Sequence, residues 1–309
     1  MGAVIVASDY ELLTERAGLV DRSARGKLLL TGAEGAEFLQ GQVTNDVEGL
    51  RPGDGCYAAL LTHKGKMRGD MRILRGEDWI WIDTERVVLP ALVRTVTMYG
   101  IGRDVRHADV TSERALLSLV GPAAHAALEV EPPAVEHAFV EGEHGLYVRT
   151  DLGVDVICPA EEAGAVRAAR ALEEASEDAA ECLRIESGRP RYGLDFDADT
   201  IPEEAGLNER AVSFTKGCYV GQETVARLHY KGKPNRHLRG LRLSEAAEHG
   251  DPVVLGERQI GRVGSGCASP RHGPIALALL RREAAPGDTV LVGDYHAPAE
   301  VVELPFAPT

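Results

Sequence analysis

The pattern of apolar residues changes near residue 235, and this change constrains the fold more than any other feature. Beyond Lys231-Gly232-Lys233-Pro234 helical spacing stops, and short alternating runs are separated by turn signals at Gly250-Asp251, Gly256-Glu257, His272-Gly273 and Pro286-Gly287. Short, closely spaced strands joined by glycine-containing turns are typical of a small antiparallel β-barrel. We therefore predict a barrel domain over residues 236–309, preceded by a separate region over residues 1–235.

Residues 1–235 combine strand and helix periodicities. Residues 55–83 alternate, with a break at 75–78, and predict several antiparallel strands. Helical spacing predicts helices over 87–99, about 160–174 and about 177–186, the last of them stopped by Gly188 and Pro190. Thr31 and Glu34 form a capping-box pattern that predicts a helix through Phe38. The predicted fold class is α+β, with two interleaved subdomains before the barrel.

Composition and charge limit the function classes. Hydrophobic residues make up 44% and charged residues 27% of the chain, which is typical of a globular protein and excludes disorder. No apolar run approaches the ~20 residues that span a bilayer, and the start lacks the basic region of a signal peptide, so we predict no membrane contact and a cytoplasmic location. The net charge of −14 argues against sequence-independent binding of nucleic acid over the whole surface.

Five scattered cysteines do not form a disulfide framework, and we expect them to be reduced. They are Cys56, Cys158, Cys182, Cys218 and Cys267. The chain has no C-x-x-C or H-E-x-x-H pattern, so we predict no metal or iron–sulfur site built by this chain alone; convergence of distant residues in space stays open.

The segment KGCYVGQE, residues 216–223, combines one thiol with two glycines, a cation and a carboxylate. Lys216 lies two residues before Cys218 and favours its thiolate by direct attraction, as Arg227 or His229 would if the chain folds back. The alternative is a tight turn around a small buried cysteine. Because an apolar site does not need polar neighbours on both sides, we predict that Cys218 is a working thiol.

A run of cations follows this segment. Residues 227–242 hold six lysines and arginines and no acid, and Lys64, Lys66 and Arg68 form a second cluster. Such clusters attract anions, here the carboxylate tail of a small ligand or an RNA phosphate. The alternative is a solvated linker. Only Tyr230 interleaves with the charges, so RNA binding by base stacking has little support.

Four segments resemble, in order, landmarks of the YgfZ family of folate-binding proteins, which is related to the glycine-cleavage T-protein (GcvT) aminomethyltransferases. They are FLQGQVTNDV (38–47), HKGKMRGDMRIL (63–74), LRIESGRPRYGLDF (183–196) and KGCYVGQE (216–223). The resemblance covers essentially the whole chain. It implies two α+β subdomains wound around a central folate-sized opening, a C-terminal barrel, and tetrahydrofolate as the ligand, whose glutamate tail the basic clusters would attract.

The resemblance also implies roles for individual residues. Glu186 matches the carboxylate of an R-x-E-x-G pattern that holds the pterin ring, and a carboxylate suits the parallel N3–H and 2-amino donors of a reduced pterin. Asp70 matches the aspartate that works beside the folate N5 and N10 nitrogens, where it would act as a general base. We expect Tyr192 and Lys216 to contribute to folate binding. The alternatives are a solvent-facing Glu186 and an exposed strand aspartate at position 70.

Two departures favour the YgfZ type over the T-protein type. Residues 149–153 read RTDLG where T-proteins have a tyrosine-containing turn, and Cys218 stands where T-proteins have no cysteine. We therefore expect a tetrahydrofolate-binding protein that supports iron–sulfur cluster assembly or repair, with assembly factors or client enzymes such as tRNA-modifying enzymes as partners. The alternatives are a tetrahydrofolate-dependent aminomethyltransferase and a folate-binding module without chemistry.

Overall fold

The computed structural model describes residues 7–307, which form two five-stranded antiparallel sheets, a closed barrel and helices around them. The helices are α1 Ala7–Glu15, α2 Gly35–Gln42, α3 Leu89–Tyr99, α4 Ala163–Arg170, α5 Glu177–Glu186, α6 Asn208–Ala211 and α7 Gln222–Lys231. The strands are β1 Gly18–Asp21, β2 Gly26–Thr31, β3 Gly55–Leu61, β4 Met67–Arg75, β5 Trp79–Thr84, β6 Arg106–Asp109, β7 Arg114–Val120, β8 Phe139–Gly142, β9 Gly145–Arg149, β10 Gly153–Pro159, β11 Arg236–Leu243, β12 Pro252–Leu255, β13 Arg258–Ser269, β14 Gly273–Arg281, β15 Thr289–Val292 and β16 Ala297–Val302.

The two sheets exchange chain segments. The first sheet has the order β3-β4-β5-β2-β6, and the second has the order β1-β7-β10-β9-β8. Strand β1 precedes every strand of the first sheet in the chain, yet it pairs with β7 of the second sheet, with Leu19 opposite Leu119. The two α+β units are therefore interleaved, as the sequence predicts.

The C-terminal barrel closes in the order β11-β14-β13-β12-β15-β16, because β11 also pairs with β16. Its interior is filled by buried aliphatic side chains, among them Leu241, Val253, Ile260 and Val301. The register of β13 against β14 shifts between Val263 and Gly266, a bulge of the kind that lets a small sheet curl shut. The α+β fold class with a C-terminal antiparallel barrel is confirmed.

Helix α5 connects the second sheet to the barrel. It packs against α1, β1, β13 and β14. Gly188 ends it in a left-handed conformation with φ 70°, and the N–H of Arg189 returns to the carbonyl of Arg184, as in a Schellman C-cap. A Cβ at Gly188 would lie 2.7 Å from the Leu304 Cβ, so this turn requires glycine. The predicted helix over 177–186 is observed.

The capping box predicted at Thr31 and Glu34 does not form. Thr31 is the last residue of β2, and helix α2 begins at Gly35 without a side-chain cap. The Glu34 carboxylate instead accepts the backbone N–H of Asp104 at 2.6 Å, and Asp104 accepts the N–H of Ala33 at 3.0 Å. The Glu34 carboxylate therefore bonds to Asp104, which is distant in the chain, and not to the backbone at the helix start as the local pattern predicts. In residues 7–307 no helix is long and apolar enough to cross a bilayer.

Candidate active site on the inner face of the first sheet

Strand register builds a polar patch on the inner face of the first sheet, which is the face that packs against the second sheet. Arg72 of β4 lies opposite Tyr57 of β3 and Asp83 of β5, and Asp83 lies opposite Lys27 of β2. Because side chains alternate along a strand, Asp70 shares the face of Arg72. Charged side chains thus meet in the interior of a sheet whose other positions are largely apolar.

Asp70 is buried beside a hydroxyl. Its side chain is only 5% exposed, and the Tyr57 hydroxyl donates a hydrogen bond to its Oδ2. Burial raises the pKa of Asp70 to about 6, and the Tyr57 hydrogen bond and the Arg25 charge only partly offset that rise. A carboxyl group with a pKa close to neutral pH can accept a proton and release it again. The alternative of an exposed strand aspartate does not describe this side chain.

A buried ion-pair chain stands next to Asp70 and links the two sheets. Arg72 donates to Asp83 at 2.7 Å and, across the sheet interface, to Asp155 of β10 at 2.6 Å. Trp81 donates to the same Asp83 oxygen at 3.1 Å, and Ser118 donates to Asp155 at 2.6 Å. Burial alone would raise the pKa of Asp83, but Arg72 and Arg25 outweigh it and hold that pKa below its usual value.

Further polar residues surround the Tyr57 ring. The Arg210 guanidinium lies 5.1 Å from the ring centroid, and the His137 ring stacks on Tyr57 at 6.2 Å. Burial lowers the pKa of His137 to about 4, so its imidazole is neutral at pH 7. Glu136 accepts from Arg210 and Arg189 at 2.7 Å each. The ring that positions Asp70 is itself fixed by these contacts.

Glu186, at the end of α5, has its own set of partners. The Tyr10 hydroxyl lies 2.9 and 3.0 Å from its two carboxylate oxygens, and Ser269 of β13 donates to Oε1. The Cys182 sulfur lies 3.6 Å from the same oxygen. Glu186 is therefore a buried carboxylate held by hydroxyl and thiol donors, and the alternative of a solvent-facing glutamate does not describe it.

The hydrogen bonds of Lys216 and the ring contact of Tyr192 are with residues other than Asp70 and Glu186. The Lys216 ammonium donates to the backbone carbonyls of Gln40, Val43 and Asn45 at 2.6–2.9 Å, and burial lowers its pKa to about 8. It therefore fastens the 40–45 segment. Tyr192 packs edge-on against Phe196, with ring centroids 5.5 Å apart.

Cys218 is exposed in the turn before α7. The two cations expected to fold back toward its thiol have other neighbours. Arg227 pairs with Glu223 at 3.0 Å, and the His229 ring stacks on Phe214 at 3.8 Å. Cys218 is thus a surface thiol, and Arg227 and His229 make these contacts with other residues.

The basic run 227–242 is partly neutralised. Arg236 pairs with Glu204 at 2.8 Å and Arg239 with Glu303 at 3.1 Å. The guanidinium of Arg242 lies 6.0 Å from the Phe306 ring. The run crosses from α7 into the barrel strand β11, so it is a structured surface and not a linker.

Sequence reasoning missed the Tyr57 partner of Asp70 and the ion-pair chain next to it. Tyr57, Arg72, Asp83 and Asp155 were not singled out, although each interrupts an apolar strand with a polar side chain. In DMRIL and WIWID, Arg72 and Asp83 stand among apolar residues, and a charged residue inside an apolar strand is the signal that would have found them. Which strands pair, and therefore which charges meet, depends on register between segments distant in the chain.

Two models of known domain families match this chain. The GCVT N-terminal domain family matches residues 3–137, and the glycine cleavage T-protein C-terminal barrel domain family matches residues 236–307. The chain belongs to the glycine cleavage T-protein (GcvT) superfamily. The superfamily resemblance is confirmed, and the YgfZ subgroup stays a prediction.

Full-length relatives support the same assignment. An aminomethyltransferase from Rubrobacter xylanophilus is 31% identical over 97% of this chain and 86% of its own length. One from Bacillus cytotoxicus is 30% identical over 97% of this chain and 89% of its own. The crystal structure of the glycine cleavage system aminomethyltransferase T from Bartonella henselae superimposes with a TM-score of 0.88, at 23% identity, over 97% of this chain and 89% of that one; it supports the shared fold.

Proposed function

We propose that this chain is a tetrahydrofolate-dependent aminomethyltransferase, with Asp70 as its proton-transfer group. The observation that carries the proposal is the setting of Asp70, which is buried against the Tyr57 hydroxyl with a pKa raised to about 6. Relatives named aminomethyltransferase over nearly the whole chain support it. The transferase was the alternative at the level of sequence, and it now ranks above the iron–sulfur role.

Asp70 has the properties of a general base at neutral pH. With a pKa near 6 most of its carboxyl groups are ionised at pH 7, yet the conjugate acid remains accessible. Tyr57 holds Oδ2, so we assign Oδ1 the contact with a folate nitrogen. The stacking of His137 and Arg210 on Tyr57 limits rotation of the ring and keeps the carboxylate oriented.

We propose that Glu186 binds the pterin. Its carboxylate now accepts from the Tyr10 and Ser269 hydroxyls, which are rotatable donors, so it can exchange them for the two parallel donors of a reduced pterin. Tyr192 would contribute ring contact, and Lys216 would act by fixing the 40–45 segment. The donor and acceptor chemistry of these residues fits tetrahydrofolate as substrate.

The test is a reconstituted glycine-cleavage assay in which this chain replaces the aminomethyltransferase component. We expect methylene-tetrahydrofolate production that falls by about 10²–10⁴-fold in Asp70→Asn, because the amide cannot accept the proton. The wild-type rate should decline below about pH 6, where Asp70 becomes protonated.

The matched control is Asp294→Asn, an exposed aspartate in the barrel turn before β16. It should leave the rate unchanged. Product formation in Asp70→Asn at the wild-type rate would remove Asp70 from the reaction, and its absence in the wild-type protein would refute the transferase.

One observation favours a second candidate, the predicted role in iron–sulfur cluster assembly or repair. Among the cysteines, Cys218 is the exposed one and lies in the KGCYVGQE segment that resembles the YgfZ signature. If its thiol works, Cys218→Ser should leave the melting temperature near wild type and fail to restore cluster-dependent enzymes in a deletion strain. Cys56→Ser, a half-buried cysteine, serves as control. Full rescue by Cys218→Ser at normal abundance would exclude the thiol role.

A further inference from the structure

Two cysteines that are far apart in the chain meet between α5 and the barrel. The sulfur atoms of Cys182 on α5 and Cys267 on β13 lie 3.2 Å apart. Cys182 is fully buried, whereas Cys267 is partly exposed. The two sulfurs are therefore in van der Waals contact, and Cys267 is the more exposed of the two residues.

Besides the cysteine pair, the hydrogen bond between Glu186 and Ser269 also joins α5 to β13. Cys182 and Glu186 are four residues apart and lie on one face of α5, about 6 Å apart along the helix axis. Cys267 and Ser269 are two residues apart on one face of β13, a spacing of about 6.8 Å. The spacing along the helix is close to the spacing along the strand. The Glu186–Ser269 hydrogen bond therefore holds the helix in the register that places the two sulfurs together.

The surroundings of the two thiols differ. The Cys182 sulfur lies 3.6 Å from the Glu186 Oε1, which can take its proton. The Cys267 contact and burial together keep the pKa of Cys182 well above its usual value, so this sulfur stays protonated until it reacts. The two thiols have complementary positions, since Cys267 is partly exposed and Cys182 is buried beside a carboxylate.

We propose that Cys182 and Cys267 are a redox-active dithiol that hydrogen peroxide converts to a disulfide between α5 and the barrel. Peroxide oxidises Cys267 to a sulfenic acid, and its O–O bond breaks to release one water. Cys182 then attacks the Cys267 sulfur; its proton passes through Glu186 Oε1 to the displaced hydroxide, which leaves as a second water. Two electrons pass from the two sulfurs to the peroxide.

The disulfide has two consequences. It fixes α5 covalently to β13 and closes a long loop, which restricts the unfolded chain. It also removes the thiol hydrogen that points toward Glu186, so the hydrogen bonding of that carboxylate depends on redox state. This second link, to folate binding, rests on the proposed function, whereas formation of the disulfide does not.

The test is peroxide treatment of purified full-length Cys218→Ser protein, which removes the exposed thiol as a source of cross-links between chains. We expect the loss of two of the four remaining alkylatable thiols, a proteolytic peptide pair joined through Cys182 and Cys267, and a melting temperature raised by several degrees and restored by dithiothreitol. Cys56 and Cys158, which have no sulfur partner in residues 7–307, are internal controls and should stay alkylatable.

The matched variant is Cys267→Ser in the same background. It should fold with the melting temperature of the reduced protein and show no change on peroxide treatment. Full alkylation of both thiols after treatment, or oxidation of Cys267 to the sulfinic acid without the linked peptide, would overturn the proposal. Neither outcome depends on folate binding or transferase activity.

Discussion

Two aspartates on neighbouring strands of the first sheet are buried to a similar extent and have opposite properties. Asp83 on β5 is held by the guanidinium groups of Arg72 and Arg25, and its pKa is lowered. Asp70 on β4 is held by the Tyr57 hydroxyl, and its pKa is raised to about 6. Burial acts on both, so the kind of donor decides which carboxylate stays charged and which can exchange a proton.

The same distinction extends to the carboxylates around them. Asp155 is held by Arg72 and joins the guanidinium-held group, which ties the two sheets together. Glu186 is held by Tyr10 and Ser269 and joins the hydroxyl-held group. We infer that the guanidinium-held carboxylates support the fold and that the hydroxyl-held ones carry the chemistry. Three changes test this division.

The largest expected effect is on stability. Arg72→Met removes the charge that faces both Asp83 and Asp155 and leaves two buried carboxylates short of a partner. We expect a loss of about 3–5 kcal/mol in the free energy of unfolding, measured by urea denaturation. Arg227→Met, which breaks the exposed pair with Glu223, should lose no more than about 1 kcal/mol. Equal losses in the two variants would remove the structural role assigned to the guanidinium-held group.

The next effect is a pH dependence of stability due to Asp70. Its pKa is 3.8 in the unfolded chain and about 6 in the folded protein, so between these values the folded protein binds more protons. The stability contributed by protonated Asp70 is therefore present at low pH and is lost as the pH rises through 6. Asp70→Asn lacks this pH-dependent contribution. Relative to wild type, its free energy of unfolding should rise by up to about 3 kcal/mol between pH 4 and 7. A difference that stays constant with pH would show that Asp70 is not perturbed.

The smallest expected effect is on folate affinity. Glu186→Gln replaces a carboxylate by an amide that offers one acceptor and one donor group to two pterin donors. We expect tetrahydrofolate to bind about 1–3 kcal/mol more weakly, measured by titration calorimetry. Glu11→Gln, an exposed position on α1, should bind as wild type does. Identical affinities in all three proteins would exclude Glu186 from the folate site.

The barrel and the helices over 87–99 and 177–186 could be predicted from the sequence because each depends on local periodicity and on its own stop signal. Gly188 illustrates this, since the residue that ends α5 also satisfies the positive φ at that turn. The capping box failed for the opposite reason, because Asp104, seventy residues away, took the Glu34 carboxylate.

The candidate site was predictable in part. Asp70 and Glu186 were found through the resemblance of their segments to a family. Their hydroxyl partners were not, because Tyr57, Tyr10 and Ser269 reach them through strand register and helix packing. The sequence predicts that Lys216 attracts the Cys218 thiolate. Its ammonium instead donates hydrogen bonds to backbone carbonyls more than 170 residues earlier in the chain.

The exchange of β1 between the two units has a consequence for synthesis of the chain. Strand β1 cannot pair until β7, with Leu119 opposite Leu19, has been synthesised. The whole first sheet lies between these two strands in the sequence. At roughly 5–20 residues per second, a ribosome takes about 5–20 s to make those hundred residues. During that time the first sheet can fold as a loop, while β1 is an unpaired strand with free backbone donors. The order of translation therefore leaves β1 unpaired until β7 has been made, after every strand of the first sheet.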